Sequence, residues 1–322
     1  MSHLEDLTHA VLVGDVRTRL GDIPDRSVQC VVTSPPYYGH RDYSEGQRAS
    51  EEIGCEPDLE SYISSLVAVF RSVRDKITDD GLLWLNLGDT YREGRQLGVP
   101  WRVALALATD GWFLRSDIIW NKPNAMPSSV KSRPTVSHEY IFLLSKSASY
   151  FYDADAIREP HVTFSESSKM KGGRNHFGKK DGTPEKGKNS GNSNLHDARW
   201  DQAFHPLGRN KRTVWEIPLG KFRGAHFAVF PEKLVDICIL AGSRPGDTIL
   251  DPFAGSGTSG IVALKRRRNF IGIELYEHNA NLIRERIADL LAQSALSDAQ
   301  PSLFPDDDDV PVPLARVVSD DQ

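Results

Sequence analysis

The chain has 322 residues, with 39 Lys+Arg against 44 Asp+Glu and a formal net charge of −5. That is long enough for one large domain or a domain with an insert, and too acidic for a uniformly basic nucleic-acid coat. No run of roughly 18 apolar residues occurs, and Glu5 and Asp6 stand where a secretory leader would be basic, so a cytoplasmic, nucleoid-associated protein that spans no membrane is expected. Cys30, Cys55 and Cys238 are too widely spaced for a disulfide framework or a zinc-binding pair, and no metal is expected.

In chain order, Val11-Leu12-Val13 reads as a strand ended by Gly14-Asp15, and Val28 to Val32 as the next, with a helical turn through Arg17 and Leu20 between them: a βαβ unit. The second strand runs into Thr33-Ser34-Pro35-Pro36-Tyr37. Two prolines can simply terminate a strand. A hydroxyl, a fixed carbonyl and an aromatic ring delivered to one point also suit a planar base. Tyr38 to Pro57 is polar and aperiodic, a loop near the site. Asp58 is a candidate N-cap for a helix whose apolar residues Leu59, Tyr62, Ile63, Leu66, Val69, Phe70 and Val73 recur at spacings of 3 and 4.

Gly81 reads as the end of a turn, Leu82 to Leu85 as a buried strand closing at Asn86-Leu87-Gly88-Asp89, and Pro100 to Thr109 as a helix. Phe113 to Trp120 and His138 to Leu144 look like strands separated by turn-formers at Asn121-Lys122-Pro123. Residues 158–212 differ in kind: rich in Gly, Ser, Asn and Lys, they carry twelve Lys/Arg against six Asp/Glu, which leaves the rest of the chain at −11. Regular structure returns over Thr213 to Ile217, then a helix after Pro231, a strand at Thr248-Ile249-Leu250, a helix from Thr258, a strand from Asn269 to Glu274 and a last helix over 276–292. The tail from Ser294 is expected to be disordered.

Asp251-Pro252-Phe253-Ala254-Gly255-Ser256-Gly257-Thr258 is a glycine-rich turn between strand and helix, and Glu274 lies nineteen residues after Gly255. That is a nucleotide-site pattern, because glycine permits close backbone approach and the helix N-terminus offers N–H groups. A nicotinamide- or flavin-dependent oxidoreductase is therefore one reading. Against a dinucleotide, Asp251 precedes the glycines, where a carboxylate sits poorly beside pyrophosphate but well beside an ammonium, and Pro252-Phe253 makes an apolar wall. A cationic, phosphate-free nucleoside such as S-adenosyl-L-methionine fits better.

These stretches resemble the motifs of amino-methylating DNA methyltransferases. Asp251 to Thr258 is similar to their cofactor motif and Thr33 to Tyr37 to their catalytic motif. Their order, with a variable region between, resembles the beta group of that family. Gly14-Asp15, Leu85 to Asp89, Ser137 to Ile141, His226 to Pro231 and Ile271 to Glu274 extend the match. The resemblance implies an α/β fold, the Rossmann-like S-adenosylmethionine-dependent methyltransferase fold with a mixed seven-stranded sheet, circularly permuted. It implies a catalytic half at 1–157, a target-recognition insert at 158–212, a cofactor-binding half at 213–292 and a disordered tail at 293–322.

The resemblance assigns Glu274 to the cofactor ribose, Asp15 to its adenine amino group, and Asp251, Phe253, Gly255, Ser256, Gly257 and Thr258 to its methionine part. Ser34 and the carbonyl of Pro35, held by Pro36, would accept hydrogen bonds from an exocyclic amine on a flipped base against which Tyr37 stacks. Asn86 and Asp89 are secondary candidates for orienting the amine or accepting its proton. Within the family, serine at the first motif position goes with cytosine N4 and aspartate or asparagine with adenine N6, so Ser34 favours N4, with N6 as the alternative. No cysteine follows a proline, which disfavours methylation at cytosine C5. Double-stranded DNA is the expected partner, contacted through Arg174, Lys179, Lys180, Arg199, Arg209, Lys211 and Arg212. Gln300 to Phe304 resembles the short peptides that dock on the bacterial sliding clamp.

Overall fold

A computed structural model describes residues 7–39, 52–160, 207–220 and 230–299. The strands are β1 (His9–Val13), β2 (Val28–Thr33), β3 (Ile77–Leu87), β4 (Tyr91–Arg92), β5 (Arg95–Gln96), β6 (Phe113–Asn121), β7 (His138–Ser145), β8 (Val214–Glu216), β9 (Thr248–Asp251) and β10 (Asn269–Glu274). The helices are α1 (Val16–Arg19), α2 (Leu59–Lys76), α3 (Val99–Thr109), α4 (Glu232–Gly242), α5 (Thr258–Lys265) and α6 (Glu277–Ala299). One sheet runs β1-β10-β9-β2-β3-β7-β6-β8, and β4 and β5 form a separate ribbon. From β1 to β3 the strands are parallel; β7 is antiparallel to β3 and β6, and β8 is parallel to β6.

The main sheet is mixed and of α/β type, as expected, but among the described residues it has eight strands rather than seven. The eighth is the short β8, added at the edge where Val214 pairs with Ile119. Trp120 donates its indole N–H to the Ile217 carbonyl at 2.7 Å, and this fastens the segment that returns after the insert.

Side chains leave a strand alternately to its two faces, and the core divides accordingly. Val31, Leu83 and Leu85 join α2 and α3 in one cluster. Cys30, Val32, Leu82 and Trp84 join Leu234, Val235 and Cys238 of α4, Ile261 and Leu264 of α5 and Ile283 and Ile287 of α6 in the other. Strands buried on both faces are why these segments read as continuous apolar runs rather than alternating ones.

Two local expectations are corrected. Gly81 lies inside β3 and does not end a turn. A Cβ there would stand 2.8 Å from the Gln29 carbonyl oxygen and run into the Ile77 side chain, so glycine serves a close approach of backbones beside the register shift between Val28 and Cys30. The last helix continues to Ala299 rather than ending near 292. The added turns, Ala292 to Ala299, contain no glycine or proline to stop them. Asp58 caps α2 as expected, accepting from the Ser61 amide at 2.8 Å.

Candidate active site

The two principal motifs are far apart in sequence and adjacent in space. β9 pairs with β2, Cys30 opposite Ile249 and Val31 opposite Leu250, so Thr33-Ser34 and Asp251-Pro252 leave the sheet side by side at their C-terminal ends. Ligands of open α/β sheets bind at that kind of crevice. A direct bond joins them: Thr33 Oγ1 donates to Asp251 Oδ1 at 2.7 Å across 218 positions.

A cavity of about 1070 Å³ opens there. One end is walled by Gly14, Asp15, Phe253, Gly255, Ser256, Thr258 and Glu274, the other by Ser34, Pro35, Pro36, Tyr37, Asn86, Lys122 and Glu139. Gly255 and Gly257 turn the chain with φ of +54° and +78°, which places the start of α5 at the cavity. A Cβ on Gly255 would meet nothing nearer than the Phe253 carbonyl oxygen at 3.9 Å, so this side of the turn is open to a ligand. Glu274 is buried at the end of β10, where it accepts from the Gly255 amide at 2.9 Å, the Tyr276 amide at 3.1 Å and Asn279 Nδ2 at 3.1 Å. Burial pushes its carboxyl up, against the pull of those donors. Asp15 caps α1 and pairs with Arg17, whose guanidinium holds its carboxyl below the ordinary aspartate range.

At the other end of the cavity, Ser34 directly follows β2. Tyr62 on α2 donates to the Pro36 carbonyl at 2.9 Å and pins the two prolines from below. The Tyr37 ring lies against Gly88, where a Cβ would come within 2.6 Å of it. Its hydroxyl donates to Glu139 Oε2 at 2.7 Å and accepts from Ser34 Oγ at 3.1 Å and Asn86 Nδ2 at 2.9 Å. Asn86 Nδ2 also reaches Ser34 Oγ at 3.3 Å and Glu139 Oε2 at 2.8 Å, and Lys122 pairs with Glu139 Oε1. Burial, and then the Glu139 charge, push the Tyr37 phenol well above its ordinary value, which keeps it protonated.

Some site residues stand elsewhere than expected. Asp251 does not line the cavity; it lies behind the wall, 1% exposed, accepting from Thr33, from Ser259 Oγ at 2.6 Å and from the Phe253 amide at 3.1 Å. Its carboxylate holds the turn in place and is not available to an ammonium. Gly257 is likewise behind the wall, packed on Ile283. Arg209 and Lys211 both bond to Glu159, at 3.2 and 3.0 Å, and Glu159 and Arg209 exchange backbone hydrogen bonds, so both cations are already paired with an acid where the described segments 52–160 and 207–220 meet. Arg212 is exposed. Arg174, Lys179, Lys180, Arg199 and the Gln300 to Phe304 segment lie outside the described residues, as do 226–229. Asp89 lines the cavity and accepts from the Gly98 and Val99 amides at the start of α3 at 3.1 and 2.9 Å.

Lys122 and Glu139 are the site residues that motif reading passed over. Lys122 reads as a turn-former before proline, and Glu139 as one letter of a lesser match. Their signal is the β6/β7 register, Trp120 opposite Glu139, which puts the acid near the lysine that follows the strand.

A family model described as "DNA methylase", of the N6/N4 methyltransferase type, matches residues 28–285. The chain is 41% identical to the type II methyltransferase M.SmaI of Serratia marcescens over 86% of its own length and 90% of that protein. It is 39% identical to M.Cfr9I of Citrobacter freundii over 85% and 86%. The fold is similar to the PvuII cytosine-N4-specific DNA methyltransferase, with TM-score 0.62 at 19% identity over 89% of this chain and 92% of that one. It is also similar to a Thermus thermophilus protein assigned as a DNA modification methylase and solved with S-adenosyl-L-methionine, with TM-score 0.56 at 26% identity over 88% and 95%. The chain belongs to the N6/N4 DNA methyltransferase family. The oxidoreductase reading of the glycine-rich turn falls with that membership.

Proposed function

We propose that this chain is a site-specific type II DNA methyltransferase that moves a methyl group from S-adenosyl-L-methionine to the exocyclic N4 of a cytosine flipped out of the duplex. The observation that carries the reading is one cavity with Ser34-Pro35 at one end and the open glycine turn with Glu274 at the other, brought together by the β2–β9 pairing.

The residues present fit S-adenosyl-L-methionine. Gly255 leaves space where any other residue would place a Cβ, Phe253 supplies an apolar surface, and Glu274 and Asp15 place carboxylates on the wall. Glu274 and Asp15 would hold the ribose and adenine, and Phe253, Gly255, Ser256 and Thr258 the methionine part. The bound cofactor supplies an electrophilic methyl group on a sulfonium. The chain's own task is the amine. Conjugation with the ring makes its lone pair a poor nucleophile, and acceptors at Ser34 Oγ and the Pro35 carbonyl draw its N–H bonds out of the ring plane. Pro35 and Pro36 keep those acceptors still before the base arrives, which is preorganisation. Flipping the base costs a few kcal/mol, met by contacts along the duplex.

Ser34 supports N4, by the family's correlation at that position. The test is mass analysis of nucleosides, with methylation-sensitive sequencing, in DNA from cells expressing the chain. N4-methylcytosine at one sequence is expected; N6-methyladenine in its place would overturn the base assignment. Ser34→Ala is expected to lower kcat by roughly 10²-fold or more while leaving the melting temperature within a few degrees.

A further inference from the structure

The polar network behind Ser34 uses more groups than holding a hydroxyl requires, and among the described residues its hydrogen bonds have only one consistent direction. Glu139 is nearly buried, with side-chain exposure of 16%, and is ion-paired with Lys122 at 15%. Lys122 is held in turn by the Trp120 ring, 4.6 Å from its ammonium, and by its own amide on the Ser137 carbonyl at 2.7 Å. An ionised carboxylate accepts and cannot donate. The hydroxyl of Tyr37 therefore gives its single proton to Glu139 Oε2. Its oxygen is left to accept, and it takes the single proton of Ser34. Asn86 directs its amide nitrogen at Ser34, Tyr37 and Glu139 together. Turning that amide around would set a carbonyl oxygen against the carboxylate, so it reinforces the same direction. With its proton committed inward, Ser34 Oγ presents only lone pairs to the cavity.

We propose that Glu139, acting through Tyr37, fixes the polarity of the Ser34 hydroxyl, so that the pocket selects a base presenting an exocyclic amine and rejects one presenting a ring carbonyl at the same point. The inference rests on the base contact of Ser34 proposed above and deepens it. Ser34 does not sort donors from acceptors by itself, since a free hydroxyl would rotate and serve either. Glu139 and Tyr37 are positioning residues, and what they position is a proton. Cytosine and uracil are similar in shape but differ at this edge, N–H₂ against C=O. A carbonyl facing a hydroxyl that cannot donate leaves two acceptors in contact at a part-buried point, and such an unpaired contact is costly.

The test is a binding ratio, independent of turnover. Duplexes carrying the sequence that becomes methylated in expressing cells are made with cytosine or uracil at the target, each opposite an abasic site so that neither base loses a pair on flipping. Their affinities are measured by fluorescence anisotropy with S-adenosylhomocysteine present. The wild-type chain is expected to prefer cytosine at least about tenfold. Tyr37→Phe, which removes the acceptor of the serine proton and keeps the ring, is expected to bring the ratio to within about threefold, because the freed hydroxyl can donate to uracil. Glu139→Leu, which releases the tyrosine proton to turn toward Ser34, is expected to do the same. Partial loss of fold weakens both duplexes by the same factor and leaves the ratio intact, whereas complete loss abolishes the cooperative melt, so the ratio read on cooperatively melting variants separates polarity from stability. A wild-type ratio retained in Tyr37→Phe overturns the proposal. Ser34→Ala binding both duplexes as wild type does would instead overturn the base contact on which it rests.

Discussion

Asp251 shows what burial does to a single residue. Its carboxyl is enclosed by the sheet and the glycine-rich turn, and desolvation raises it to about 6, although two hydroxyls and an amide donate to it. Because the folded value lies above the ordinary 3.8, the native state holds a proton that the unfolded chain has released between those two values. The stabilisation is fully present below pH ~4 and is lost as pH rises through about 6. The shift corresponds to about 3 kcal/mol in order of magnitude. In Asp251→Asn that dependence is absent, so the stability of the variant relative to wild type is expected to rise between pH 4 and pH 7. Urea unfolding at the two pH values measures it, and an unchanged difference would show that Asp251 ionises without penalty. Serine, threonine and aspartate near one another in a sequence do not announce such a cluster. Ser259 is eight residues from Asp251, and Thr33 is 218 away.

At the scale of the element, the turn between β9 and α5 decides the shape of the cofactor end. Gly257 caps α5 from the left-handed region, and a Cβ there would lie 2.7 Å from Ile283 Cγ2 of α6. Gly257→Ala is expected to cost roughly 1–3 kcal/mol from strained backbone and overpacking together. Because the strain falls on the chain between Ser256 and Thr258, calorimetry with S-adenosyl-L-methionine should show weaker binding beyond what the lower melting temperature accounts for. At the other end of the insert, Glu159 gathers Arg209 and Lys211. Charge along a sequence does not reveal such a partner on the opposing segment. Arg212, which is exposed, keeps its proposed role, as do the four basic residues Arg174, Lys179, Lys180 and Arg199. Replacing all four with glutamine is expected to flatten the salt dependence of DNA affinity, whereas replacing Arg209 and Lys211 is expected to lower stability more than salt slope. An unchanged slope in the fourfold variant would place phosphate recognition elsewhere.

Over the whole molecule, the β9–β2 pairing makes the two ends of the chain one body. Cys30 and Val32 of β2 share a core with α4, α5 and α6, while Leu250 and Ile273 share the other with α2 and α3. Neither half can bury its own sheet. Residues 1–157 expressed alone are expected to lack near-ultraviolet circular dichroism and a cooperative melt, and a folded, cooperatively melting fragment would contradict this account of the core. Much of this architecture was legible beforehand. Helix periodicity located α2, apolar runs located β2, β3, β6, β7, β9 and β10, and turn chemistry located both motifs. These signals are local, since each depends on residues a few positions apart. The eighth strand was too short to carry a pattern, and the extension of α6 carried no breaker signal. What sequence alone determined is the place of the Ser34 stretch, the glycine turn at Gly255, the acid at Glu274 and the methyltransferase character that their order implies. Only the tertiary structure decided that Asp251 turns inward, that Arg209 and Lys211 pair with Glu159, and that Lys122 and Glu139 stand behind Ser34 and Tyr37. Those outcomes depend on which strands become neighbours, and long-range pairing sets that through burial summed over the whole sheet.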